Sequence, residues 1–390
     1  QTTESKRQII ATQTGETDKI LTTLEQSLPD DPMIRQRFES FSENNLGLYS
    51  LPMGVAPNFL INGKIYHIPM VTEESSVVAA ASSSAKYWYS RGGFTSVVNG
   101  REKNGQVHFL SKAPQAWFDA AIRELGHRFT DELRPHVEAM EARGGGVKTW
   151  KIEHRPEVMP HYFRLDVTFG TADAMGANFI NTCLEVMGLT LVAYTMEVNP
   201  DSDTRVVMAI LSNFNPGSTV TASVSCPVDK MTTKGAEPRD FAERLVMATR
   251  IARCDIHRAA THNKGIMNGI DALMIATGND FRAIEAGAHA WAARDGQYRG
   301  LTEARIEGDM FHFSLTLPLT LGTVGGLTSL HPVAGAVLQI LGNPSAEELM
   351  QITAALGLAQ NFTALRALTT LGIQKGHMRM HLGNILIGLN

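Results

Sequence analysis

Between residues 114 and 142, Phe118, Ile122, Leu125, Phe129, Leu133, Val137 and Met140 recur at steps of three and four, the mark of one apolar face on a long helix. Gly144-Gly145-Gly146 stops that helix. What flanks it constrains the fold further. Residues 105–110 are strand-like, strand patterns follow at about 147–154 and 161–170, a second helix runs from Asp173, and another strand covers 205–212. Strand, helix, two strands, helix, strand is the split βαβ order of a ferredoxin-like unit. Residues 103–216 therefore read as a small α/β domain inserted into a larger one, with 1–102 as its first part and 217–376 as its second. A chain of 390 residues exceeds one compact core, so two domains suit its length.

Outside the insert, residues 15–45 read as helices broken at Pro29 and Pro32. Leu51 to Met70, with Asn62-Gly63 inside it, reads as short strands joined by a turn. Ser75 and Ser76 precede a helix of small residues from Val77 to Ser90, which Arg91-Gly92-Gly93 ends. The part after 217 reads as mostly helical. Inside it, Met310 to Ala346 carries no Asp, Glu, Lys or Arg. Spanning a membrane takes roughly 18 or more consecutive apolar residues. Pro318, Gly322, Gly325, Gly326 and Pro332 interrupt this run, so a buried strand, a glycine turn and a helix are expected. The expected class is α+β, a large mostly helical domain carrying a ferredoxin-like insert.

Charge and composition exclude several functions. Apolar residues make up 43% and charged residues 19%, ordinary for a globular protein, and a net charge of -4 leaves no footprint for nucleic acid or an anionic membrane. Cys183, Cys226 and Cys254 are odd in number and far apart, which suggests neither a disulfide framework nor a Cys-x-x-Cys metal site. No apolar signal core occurs in residues 1–20, and a cytoplasmic location is expected. Gly-x-Gly-x-x-Gly, Walker, His-Glu-x-x-His and Gly-x-Ser-x-Gly motifs are absent. Among thirteen histidines, His377 and His381 lie one helical turn apart, weak grounds for zinc, and no metal is expected.

The segment Asp255 to Asp280, DIHRAATHNKGIMNGIDALMIATGND, sets Arg258, His262, Asn263, Lys264, Asn268 and Asp280 among glycines and small apolar residues. Polar groups embedded in apolar runs must be paired or used, because burying them unpaired costs free energy.

With ENNLGLYSLPMGVAPNFLINGKIYHIPMVTEESSVVAAAS (43–82), DAMGANFINTCLE (173–185), HRAATHNKGIMNGIDALMIATGNDFRAIEAGAHAWAARDG (257–296) and GLAQNFTALRALTTLGIQKGHMRMHLGN (357–384), the chain resembles class II 3-hydroxy-3-methylglutaryl-coenzyme A (HMG-CoA) reductases from Glu43 onward. The resemblance implies a two-step, four-electron reduction of HMG-CoA to mevalonate and free coenzyme A with two NAD(P)H, or its reverse. It also implies a homodimer, or a multiple of dimers, with active sites at the subunit interface.

Residue by residue, the resemblance implies Lys264 as the cation facing the oxyanion. Glu74, second of the pair with Glu73, would be the proton donor for the aldehyde step, and Asp280 would link Lys264 and Glu74; local sequence also reads Asp280 as a helix N-cap. His377, in Gly376-His377-Met378, would protonate the departing thiolate, with His381 as its rival. Arg258 would bind the substrate carboxylate, with Ser76, Thr261 and Asn268 as further substrate contacts. Asp173, Met175, Gly176 and Asn178 resemble the dinucleotide site, opening a helix whose N-terminus favours phosphate; Asn213 is a further cofactor candidate. Arg134, in Arg134-Pro135 where NADH-preferring relatives carry Asp-Pro, points to NADPH.

Two departures stand out. Glu74-Ser75-Ser76 replaces the family's Glu-Pro-Ser, and the chain ends at Asn390, so residues 377–390 are expected to form only the start of the family's C-terminal flap. Two other readings compete: a coenzyme A-linked oxidoreductase working through a cysteine, and a non-catalytic acyl-coenzyme A binding protein. The first would need an activated thiol; the second runs against Glu74, Lys264, Asp280 and His377 occurring together.

Overall fold

The computed structural model describes residues 2–370. Residues 1–52 form one compact unit with α1 (Thr3–Thr12), α2 (Thr17–Gln26) and α3 (Pro32–Glu39). Pro32 sits at the first turn of α3, where its missing N–H costs nothing, and Asp31 caps that helix. Buried Arg7 ties this unit together, donating to the Leu46 carbonyl, Glu25 and Glu39.

The second unit begins with a hairpin, β1 (Met53–Ile61) and β2 (Lys64–Val71), turning at Asn62-Gly63, both at positive φ. Next come α4 (Ser75–Tyr89), β3 (Thr95–Val98), β4 (Lys103–Leu110), α5 (Gln115–Glu141), β5 (Gly146–His154), β6 (Tyr162–Gly170), α6 (Ala177–Val198) and β7 (Arg205–Leu211). The chain continues through β8 (Thr219–Pro227), α7 (Pro238–Cys254), α8 (Ile256–Ala276), α9 (Phe281–Ala292), β9 (Thr302–Glu307) and β10 (Met310–Pro318). It closes with α10 (Leu327–Leu330), α11 (Pro332–Ile340) and α12 (Ala346–Thr369).

One antiparallel sheet has the order β5-β6-β4-β7, the ferredoxin-like arrangement of four strands, with α5 and α6 packed on it. Its core gathers Phe109, Phe118, Leu125, Phe129, Phe163 and Leu184. The buried stripe of α5 departs from the expected face at one place: Ala121 is buried and Ile122 is exposed. Among the described residues α6 is the helix long and apolar enough to cross a membrane, and half of that stretch is buried within the protein.

A separate core fills the rest of the second unit, between the sheet β3-β8-β10-β9, the β1-β2 hairpin and α4, α7, α8, α11 and α12. This sheet was not read in the sequence beyond the strand starting at Met310. The uncharged stretch folds as β10, a turn with Gly325 and Gly326 at positive φ, α10 and α11. Helix α12 is buried on nearly every side, which accounts for its lack of a polar face.

Helices α8 and α9 bring Asp271 and Glu285 together. Burial, reinforced by the negative charge of Glu285, pushes the Asp271 carboxyl up to about 8. An unfolded Asp ionises near 4, so between about 4 and 8 the folded state holds a proton that the unfolded state releases, and stability falls as pH rises through that window. Asp271→Asn removes this slope. Its melting temperature should gain on the parent by about 2–4 °C between pH 5 and pH 8; thermal melts showing a pH-independent offset would contradict the account.

Candidate functional site

Three helices make a cavity of about 440 Å³. From α4 come Ser76, Ala79, Ala80 and Ser83, spaced at three and four so that they share a face, and small enough to leave room. Arg258, Thr261, Lys264, Gly265 and Asn268 of α8 recur on one face in the same way. Gln360, Asn361, Ala364 and Leu368 belong to α12. Two bonds clamp α12 to α4: the Thr363 hydroxyl donates to the Ala80 carbonyl at 2.8 Å, and Arg366 Nη2 to Ser83 Oγ at 2.6 Å.

At the mouth, Lys264 Nζ lies 3.8 Å from Glu74 Oε2, and the Ser76 hydroxyl donates to Glu74 Oε1 at 2.5 Å. Glu74 thus reaches the lysine from the turn before α4; its neighbour Glu73 is exposed and does not line the cavity. Deeper in, the Arg258 guanidinium has no carboxylate within ion-pair distance among the described residues, while burial lowers its pKa. An unpaired, partly desolvated guanidinium is a receptor for a carboxylate.

The sequence marks His262 only as one of the polar residues in the Asp255–Asp280 segment and does not single out Thr302 or Asn361, although Asn361 falls in a matched segment. They form a closed ring: His262 Nε2 to Thr302 Oγ1 (2.5 Å), the Thr302 hydroxyl to Asn361 Oδ1 (3.0 Å), and Asn361 Nδ2 back to the His262 carbonyl (3.3 Å). Burial first, and then the nearby Arg258 charge, push the imidazole down to about 3. The ring is therefore neutral, and because Thr302 spends its only proton on Asn361, Nε2 must carry the imidazole hydrogen. This fastens the cavity-lining face of α8 to β9 and α12.

A second cavity, of about 390 Å³, lies between Ala174–Phe179, the Gly278–Asp280 turn and the Gly322–Thr328 loop, with Met140 at its edge. The sequence reading started a helix at Asp173; the structure starts α6 at Ala177, with Gly176 as N-cap at φ +86°. Asp173 stands outside that helix. Its carboxylate accepts from the Ala346 N–H at the start of α12 and pairs with Arg101. Met175, Gly176 and Asn178 line the cavity, whereas Asn213 sits in an adjoining cleft with Lys103 and Met175. Arg134 lines neither; it pairs with Asp131 at 2.9 Å on the exposed side of α5.

Asp280 also belongs to this second cavity. It caps α9, accepting from the Arg282 and Ala283 amides, and pairs with Arg282. No contact joins it to Lys264 or Glu74 within the chain, so the expected three-residue network is not formed by a single copy. His377 and its rival His381 lie outside the described residues, as does the expected flap 377–390. The cysteines offer no activated thiol: burial pushes Cys183 up to about 11 and raises Cys226, and Cys254 lines neither cavity. Among the described residues no three His, Cys, Asp or Glu side chains gather into a metal site.

The family model for hydroxymethylglutaryl-coenzyme A reductase matches residues 2–382, and the chain belongs to that family. It is 40% identical over 375 residues to the 3-hydroxy-3-methylglutaryl-coenzyme A reductase of Archaeoglobus fulgidus, covering 95% of this chain and 81% of the relative. Among solved structures it is similar to the class II 3-hydroxy-3-methylglutaryl-CoA reductase from Streptococcus pneumoniae bound to NADPH in open conformations. There the TM-score is 0.78 and the identity 40%, with 86% of this chain and 89% of that one covered. Another structure of the Streptococcus pneumoniae enzyme gives a TM-score of 0.79 over 89% of this chain and 81% of that one.

Proposed function

We propose that the cavity between α4, α8 and α12 is where this NAD(P)H-dependent oxidoreductase of the HMG-CoA reductase family reduces its thioester to mevalonate and free coenzyme A. The observation that carries the assignment is the pairing of an exposed cation, Lys264, with a carboxyl, Glu74, above an unpaired guanidinium, Arg258. Arg258 takes the free carboxylate of the substrate, which orients the thioester carbonyl toward Lys264. Thr261, Asn268 and Ser76 add polar contacts along the same wall.

Attack at the thioester carbon creates an oxyanion, and Lys264 faces that developing charge. Collapse of the hemithioacetal expels coenzyme A as a thiolate, which His377 protonates. Reduction of the aldehyde then needs a proton at its oxygen, and Glu74, held by the Ser76 hydroxyl, delivers it. A reduced nicotinamide dinucleotide would supply one hydride to each step, two being consumed in succession. The second cavity fits such a group: Gly176 allows a tight left-handed turn, and the N–H groups at the start of α6 have no acceptor among the described residues.

We place Asp280 of a second copy at Lys264, which makes the working unit a homodimer. NADPH is the preferred nucleotide in this reading, with Arg134 repelling no 2′-phosphate where an Asp would. Steady-state consumption of reduced nicotinamide on adding HMG-CoA tests both points. The parent should turn over with a higher specificity constant for NADPH, and Arg134→Asp should narrow the gap. No turnover with either nucleotide would sink the activity; a higher constant for NADH would sink the preference. His377→Gln should slow HMG-CoA reduction more than reduction of free mevaldehyde, which releases no thiolate; equal losses would point to a structural histidine.

A further inference from the structure

Lys103, the first residue of β4, is only 6% exposed and has no carboxylate within ion-pair distance among the described residues. Its three ammonium protons meet three acceptors: Thr171 Oγ1 at 2.7 Å, the Ala174 carbonyl at 2.9 Å and the Met175 carbonyl at 2.7 Å. All three belong to the turn between β6 and α6. A buried lysine without an anionic partner is costly, and burial together with the nearby Arg101 charge lowers its pKa. Neither a sheet nor a helix needs it there, so the turn is the place to look for its use.

Peptide planarity supplies the answer. In a trans peptide the C=O and the following N–H point in opposite directions. With the Ala174 and Met175 carbonyls drawn inward to the ammonium, the N–H groups of Met175 and Gly176 must face away from it, toward the second cavity that both residues line. The facing loop packs directly on this turn: Ala174 bridges to Val324, and a Cβ on Gly322 would collide with the Met175 nitrogen. The N–H groups of Met175, Gly176, Ala177 and Asn178 have no acceptor among the described residues. Successive outward amides ending in a left-handed glycine form an anion-binding nest.

We propose that Lys103 is the positioning residue of the dinucleotide cradle, gripping the Thr171–Met175 turn from behind so that the Met175 and Gly176 amides are aimed at the pyrophosphate of a nicotinamide dinucleotide. This rests on reading residues 173–178 as the dinucleotide site. The ammonium acts at second hand, through the turn it holds, and its uncompensated charge behind the cradle adds to the attraction for a dianion. Nothing in the thioester cavity touches it, so its effect is confined to the nucleotide.

The test is a fluorescence titration of the full-length protein with NADPH, alongside steady-state kinetics. Lys103→Met should raise both the NADPH dissociation constant and its KM by about 10- to 100-fold, the scale of losing charge-assisted hydrogen bonds, while the HMG-CoA KM stays within about two-fold. A merely structural lysine would instead lower kcat and the folded fraction and leave the NADPH constants of the folded protein unchanged, which overturns the proposal. Thr171→Val removes one acceptor with little change of shape and should give a smaller shift in the same direction; it decides the matter if Lys103→Met does not fold, and unchanged NADPH binding in it overturns the clasp. Gly176→Val separates the two layers of the argument. At φ +86° a β-branched residue is strained, and its Cβ would strike Thr171. If Gly176→Val binds NADPH as the parent does, the dinucleotide reading of this turn falls; if it loses NADPH while Lys103→Met keeps it, Lys103 alone is wrongly assigned.

Discussion

Lys264→Met should lower kcat for HMG-CoA by about 100- to 1,000-fold or more, with the protein still folded and still binding the substrate through Arg258. Loss of a single oxyanion donor costs about that much, and here a full charge is removed. Folding should survive because the lysine side chain is 68% exposed and, among the described residues, makes one ion pair, to Glu74. Its accessibility in one chain also says what must happen for it to act strongly, since a cation in water is worth little to an oxyanion. In the proposed homodimer, the second copy would cover the mouth of the cavity. Lys264→Met and Asp280→Asn are each expected to be inactive alone, yet mixed subunits should regain activity if Asp280 serves the partner's Lys264. Near-parental turnover by Lys264→Met would end the assignment of the lysine; failure of mixed subunits to complement would end that of the shared site.

Arg258→Met should leave a folded protein whose KM for HMG-CoA rises by about 30- to 5,000-fold, because truncating one side of a buried charge pair costs about 2–5 kcal/mol. The NADPH constants should hardly move, since Arg258 lines the thioester cavity alone. Its own backbone N–H is capped by Asp255 at 2.7 Å, so α8 keeps its start without the guanidinium. Substrate-saturation kinetics settle it: an unchanged KM would mean that the carboxylate is bound elsewhere. Arg258→Lys keeps charge without the planar fork and should recover only part of the loss.

What could be read from the residues follows from how local each signal is. The stripe on α5, its glycine stop and the strands beside it are encoded within short windows, and so the ferredoxin-like order was legible. The sheet β3-β8-β10-β9 was much less so, because Thr219–Pro227, TVTASVSCP, alternates small and weakly polar residues whose burial depends on partners far along the chain. The start of α6 was misplaced by four residues for a comparable reason. Asp173 looks like a cap, but Lys103, some 70 positions earlier, claims the carbonyls of the turn and delays the helix. Lysine is almost always exposed, so no local pattern marks this one. The wall of α12 was equally hidden: Gln360 and Asn361 lie in a helix buried on nearly every side, and only the packing shows which side opens on the cavity.

The second unit has two cores that share few side chains, one under β5-β6-β4-β7 and one around α8 and α12. Such cores can open on separate clocks, and amide hydrogen exchange should resolve them as two cooperative blocks with different protection. The nucleotide cavity takes its walls from both, Ala174–Phe179 from one side and Gly278–Asp280 with Gly322–Thr328 from the other. A ligand seated there can stay only while both blocks are closed, so saturating NADPH should slow exchange in β4, β6 and α6 and in α9 and β10 together. Nucleotide binding would then act as a thermodynamic rivet, merging two unfolding events into one.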